Sequence, residues 1–228
     1  MKVEFFSRKL FKFFALGVVS LFFAGVFIAS VLFSNVRKID FSVGFYYLVS
    51  DEGYTEASTH LIQLSGGAGY VLSYEGKDYS VLSVYLNEED GIAVQTALKK
   101  DGKSTSLLYK GVQYLCFKGR KEKRNADMYQ SALRTLYGYI SLLSQTIRRL
   151  EEGMTQESCK RVLAPVERQF GYMQKRYQKI YPSFSKVCFD AGKSLSALTN
   201  KTLYVKDLRY YLCGLSEKYL TLAEEFSL

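Results

Sequence analysis

The chain has 228 residues and a formal net charge of +9, which leaves room for one apolar span and one or two small domains. The charge is unevenly spread. Residues 1–38 carry six Lys/Arg against one acid, residues 39–117 five against ten, and residues 118–228 twenty against eleven. A basic outer segment meets anionic lipid or an anionic polymer; nucleic acid is excluded as a partner if the apolar run places that segment outside the cytoplasm.

Residues 13–36, FFALGVVSLFFAGVFIASVLFSNV, contain no charged side chain, and Lys12 and Arg37 bracket them. Crossing a hydrocarbon core of about 30 Å takes roughly 20 apolar residues. The sequence therefore predicts a single transmembrane helix over 13–36. Lys2, Arg8, Lys9 and Lys12 precede the run, so the short tail 1–12 is expected in the cytoplasm and residues 37–228 outside it. A cleaved secretory signal has a shorter apolar core of about 7–15 residues.

Residues 39–117 read as a small α/β unit. Val43 to Ser50 is aromatic and β-branched, as strands prefer. Thr55 caps a short helix that carries Ala57, Leu61 and Leu64 on one face, and Gly66, Gly67 and Gly69 stop it. Strands follow at Tyr70–Tyr74 and Tyr79–Leu86. Asn87 caps a helix from Glu88 to Lys100, whose first turn is acidic and whose last is basic. A fourth strand starts near Thr105. The order is β-α-β-β-α-β, a split arrangement with two helices on one face of a four-stranded sheet.

The stretch FYYLVS, then a helix, then GGAGYVLSYEGKDYSVLSVYLNEEDGIAVQTAL resembles a divergent SPOR domain over residues 41–117. The resemblance implies a bacterial cell-envelope module that binds peptidoglycan glycan strands stripped of their peptides, at a division or sporulation septum. Where that family often carries a polar residue and then a glycine in its first strand, this chain has Leu48 and Ser50.

Strand alternation divides the unit into two faces. If Tyr47, Val49, Val81 and Ser83 point at the two helices, then Tyr46, Leu48, Ser50, Ser80, Leu82 and Val84 form the other face. By the resemblance that second face is the glycan-binding one, with Tyr46 stacking on a sugar ring. The apolar Leu48, Leu82 and Val84 fit equally a face covered by another part of the chain.

Lys118–Arg124 is a charged linker or helix approach, and residues 125–226 are helical by pattern. Tyr129, Leu133, Leu136, Ile140, Leu143, Ile147 and Leu150 recur at alternating spacings of four and three. Val162, Val166, Phe170, Met173, Tyr177 and Ile180 repeat the seam, with Pro165 expected to kink or split the helix. Val205, Leu208, Leu212, Leu215, Tyr219, Leu222 and Phe226 form a third seam. Such seams joined by short loops imply an antiparallel bundle or helical hairpins.

Little in the sequence suggests catalysis. His60 is the sole histidine and no cysteine or acid cluster stands at ligand spacing near it, so neither a metal site nor a cofactor is expected. The glycine cluster 66–69 follows a helix and precedes a strand, the reverse of a phosphate-binding loop. Cys116, Cys159, Cys188 and Cys213 have no metal-motif spacing; they fit buried thiols or disulfide partners.

The expected fold class is α+β: an N-terminal transmembrane helix, the βαββαβ domain at 39–117 and an all-α basic helical domain at 118–228. The expected function is that of a non-catalytic, membrane-anchored envelope protein with a SPOR-like peptidoglycan-binding module. The alternative is an assembly or scaffold protein whose module has lost glycan binding and whose helical domain holds a protein partner.

Overall fold

The computed structural model describes residues 36–227. The chain runs β1 (Arg37–Ser50), α1 (Glu56–Leu64), β2 (Tyr70–Tyr74), β3 (Lys77–Tyr85), α2 (Glu88–Lys100), β4 (Thr105–Phe117), α3 (Arg120–Glu151), α4 (Gln156–Tyr177), α5 (Pro182–Thr199) and α6 (Val205–Glu224). The sheet order is β2-β3-β1-β4, with every neighbouring pair antiparallel.

The expected fold class is corrected in its membrane element. Among the described residues no helix is long and apolar enough to cross a membrane. The described fold is α+β, a four-stranded antiparallel sheet with six helices. The stretch 13–36 expected as a transmembrane helix lies, apart from Val36, outside the described residues.

Local chemistry places most boundaries. Thr55 and Ser58 form a reciprocal capping box at α1: Thr55 Oγ1 accepts from Ser58 N at 2.9 Å, and Ser58 Oγ accepts from Thr55 N at 3.0 Å. Asn87 Oδ1 accepts from Asp90 N at 2.8 Å to start α2. Gly69 adopts φ +58°, and a Cβ there would lie 2.6 Å from the Thr59 carbonyl oxygen, so the α1–β2 turn requires glycine on both counts.

Three elements differ from the sequence expectation. The first strand begins at Arg37 rather than Val43, because its early half pairs with the end of β4 across a register shift between Asp40 and Val43. The charged stretch at 118–124 is mostly helix, since α3 already starts at Arg120. Pro165 does not split its helix: α4 is continuous from Gln156 to Tyr177, with Pro165 exposed and Leu163 and Val166 buried.

A single apolar core runs through sheet and helices. Phe45, Tyr47 and Val49 of β1 turn towards α3 and α6, and the Phe45 ring packs edge-on against Tyr219 at 5.7 Å. At the far end of the sheet Phe117, Tyr129, Tyr181 and Phe226 stack together, with Phe117 and Phe226 centroids 4.9 Å apart. The seam residues from Leu133 to Ile147 and from Leu208 to Leu222 are buried as the spacing requires. All four cysteines are free and buried.

Candidate functional site

The alternation of β1 divides its side chains as expected with the phase turned over, whereas in β3 the register irregularity puts Val84 with Tyr47 and Ser83 with Leu48. Tyr47, Val49 and Val81 point away from α1 and α2, into the core shared with α6. Leu48 pairs with Leu107, whose side chain lies against Gly91 of α2. Leu48 is therefore fully buried on the small-helix side. Ser80 is buried and shares a hydrogen bond of 2.8 Å with Ser58 on α1. Tyr46 lies on this same side, with its ring 5.0 Å from that of Tyr109.

The other three residues of the expected glycan face do not extend it into one surface. Ser50 ends β1 and accepts from Glu52 N at 3.3 Å. Leu82 is half-buried beside the irregularity between β1 and β3, and its carbonyl accepts from Ala68 N at 2.7 Å. Val84 pairs with Tyr47 and is buried in the core. The six residues thus do not form one open surface. The face opposite α1 and α2 is occupied by α6.

The lid formed by α6 is fastened at several points. The Tyr47 hydroxyl and Ser216 Oγ lie 2.9 Å apart and are buried. The Tyr70 hydroxyl donates to the Glu217 carboxylate. Arg209 donates to the Gly66 carbonyl at 2.8 Å and pairs with Glu151 at 2.7 Å, so it joins the α1–β2 turn, α6 and the end of α3. At the start of β1, Arg37 pairs with Asp127 of α3 at 2.6 Å.

Beside this seam, between β2, α5 and α6, opens a cleft of about 640 Å³, a size typical of ligand sites. Tyr70 enters it from β2, Tyr210 and Tyr211 from α6, and Lys201, Lys206 and Lys218 stand around it. The Tyr70 and Tyr210 rings meet edge to face at 5.2 Å. Burial raises the Tyr70 phenol above its ordinary value, and the Glu217 carboxylate adds to the rise. This cleft escaped the sequence reading because Lys206, Tyr210 and Lys218 lie off the heptad seam, where they read as a solvated helix face. The adjacent Tyr210–Tyr211 pair, placed beside lysines, was the available signal.

The geometry offers little for covalent chemistry. His60 is exposed on α1. Among the described residues no three His, Cys, Asp or Glu side chains are grouped to hold a metal ion. Burial pushes the Cys188 thiol up to about 12, so it is a poor nucleophile at neutral pH.

No family model, curated protein or solved structure matches the chain.

Proposed function

We propose that the chain is a non-catalytic bacterial cell-envelope protein that works in assembly, with the SPOR-like module serving as a scaffold and the helical half holding a protein partner. One observation carries this reading. The sheet face through which the SPOR resemblance would have the module meet glycan is occupied by α6 of the same chain. Opening that face would expose Phe45, Tyr47, Val49, Val81 and Val84, all buried now. Burying one such side chain contributes about 1.5–3 kcal/mol, so a sugar that displaced α6 would have to offset several of these terms. Placement outside the cytoplasm belongs to the proposal. An alkaline phosphatase fused after Leu228 is expected to be active, and an inactive fusion in a stable protein would refute it.

A second reading, peptidoglycan binding, is favoured by one feature. Beyond α2, on the small-helix side of the sheet, the ring of Tyr109 is 46% exposed and lies beside Tyr46. Those two rings offer a stacking surface that α6 does not cover.

Co-sedimentation of the full chain with denuded and intact peptidoglycan, at low and moderate salt, separates the two. The assembly reading expects no preference for denuded glycan. Any retention through the basic helices should fade with salt, because exposed charges are screened within about 10 Å at 0.1 M. Salt-resistant retention on denuded glycan, lost in Tyr109→Ala, would overturn the assembly reading.

A further inference from the structure

The cleft beside β2 combines three properties. The first is an aromatic wall in which two of the three hydroxyls are already engaged within the chain. Tyr70 donates to Glu217, and Tyr211 donates to the Ala191 carbonyl at 3.0 Å. What remains towards the cleft is ring surface, including Tyr210, which is 49% exposed. Tyrosine ring surface is a frequent anchor pocket at protein interfaces, since it offers large contact area at small entropic cost.

The second property is charge. Lys201, Lys206 and Lys218 line the cleft with a single acid, Asp207, among its lining residues. The pairs available to these lysines are long, 3.7 Å from Lys201 to Asp207 and 3.9 Å from Lys218 to Asp190, and both lysine side chains are at least half exposed. Such pairs are worth little and exchange readily. Among the described residues Lys206 makes no ion pair. The cleft therefore attracts negative charge.

The third property is an open strand edge. Tyr70 is the first residue of β2, and β2 ends the sheet order with β3 as its one neighbour. An edge strand presents unpaired N–H and C=O groups that an extended peptide can join. A small anion or a glycan makes no use of such a ladder, which decides between occupants of similar charge.

We infer that this cleft takes an extended acidic peptide segment of a partner protein. An aromatic or aliphatic side chain seats among Tyr70, Tyr210 and Tyr211, flanking carboxylates meet Lys201, Lys206 and Lys218, and the backbone runs along the free edge of β2. This names the partner chemistry for the assembly reading and rests on it.

The test is a phage-displayed random-peptide selection against the full chain, held in detergent because of its apolar residues 13–36, followed by anisotropy with the enriched peptides. Enriched sequences should carry Asp or Glu around one large apolar residue. Their affinity should fall on the order of tenfold or more in Lys206→Glu/Lys218→Glu and in Tyr210→Ala. It should hold in Lys175→Glu/Arg176→Glu, which reverses exposed charges on α4. Tyr210, Lys206 and Lys218 are not core residues, and a thermal melt of each variant checks folding. An empty selection, or peptides no better than polyglutamate of equal length, overturns the inference. Peptides that bind but ignore the cleft substitutions overturn the cleft and leave the assembly reading intact. Salt-resistant retention on denuded peptidoglycan overturns the assembly reading itself, whatever the peptides do.

Discussion

The Tyr47 hydroxyl and Ser216 Oγ, 169 positions apart in sequence, meet at 2.9 Å in the buried seam between β1 and α6. Ser216 gives its one proton to the Cys213 carbonyl at 2.8 Å. Tyr47 is thus the donor and Ser216 Oγ the acceptor. The two ends of this bond are not equivalent. Tyr47→Phe leaves Ser216 bonded to Cys213 and should cost about 1 kcal/mol. Ser216→Ala leaves the Tyr47 hydroxyl buried with no acceptor and should cost about 1–3 kcal/mol. Urea denaturation of both variants checks the order. A milder loss for Ser216→Ala would mean that the phenol finds another partner and that the seam is looser than described.

Tyr109 lies over the two strand glycines Gly44 and Gly111, where a Cβ at either would meet its ring. At Gly111 the new Cβ would also lie 2.8 Å from the Val43 carbonyl oxygen. A half-exposed ring can swing into solvent, but a strand carbonyl cannot yield without moving the ladder. Gly44→Ala should therefore cost under about 1 kcal/mol, and Gly111→Ala about 1–3 kcal/mol. In the background of Tyr109→Ala the Gly44→Ala cost should vanish while most of the Gly111→Ala cost remains, a double-mutant cycle that melting curves resolve. Equal rescue of both would show that Val43 gives way.

Alkaline pH should unfold the protein early. Burial pushes the Cys188 thiol up to about 12, and also raises Cys213, Tyr47, Tyr211 and Tyr219. For each, the folded state holds its proton more tightly than the unfolded chain. Their contribution is fully present below the unfolded values, about 8.5 for Cys and about 10 for Tyr. It is lost as pH rises through the interval up to the folded values. The urea midpoint should be flat between pH 7 and 8 and fall steadily above about pH 9. Cys188→Ala should shallow the fall between about pH 9 and 12. At pH 8 a thiol reagent should reach none of the four buried cysteines until urea is added. A rapid reaction in the folded chain would contradict their burial.

Much of the fold was legible because its signals are local. The caps at Thr55 and Asn87, the glycine stop at 66–69 and the heptad seams each depend on residues a few positions apart. They placed the helix patterns closely and the sheet strands in order. The face assignment was not legible. Period-two alternation separates Tyr46, Leu48 and Ser80 from Tyr47, Val49 and Val81, but both sets contain large apolar side chains. Nothing local says which set meets α1 and α2. The same holds for α1 itself: Leu61 and Leu64, its apparent apolar face, are 65% and 67% exposed, while Ser58 faces Ser80 of the sheet.

By itself the sequence determined the order and kind of the elements, the helix seams and the charge division along the chain, because backbone propensity, capping and periodicity act within one or two turns. Only the tertiary structure decided which sheet face is sealed, that Arg209 ties Gly66 to Glu151, and that tyrosines 70, 210 and 211 gather with lysines 201, 206 and 218 around one cleft. Those outcomes depend on where α6 docks, and docking is set by the summed burial of an apolar seam against a sheet far earlier in the chain.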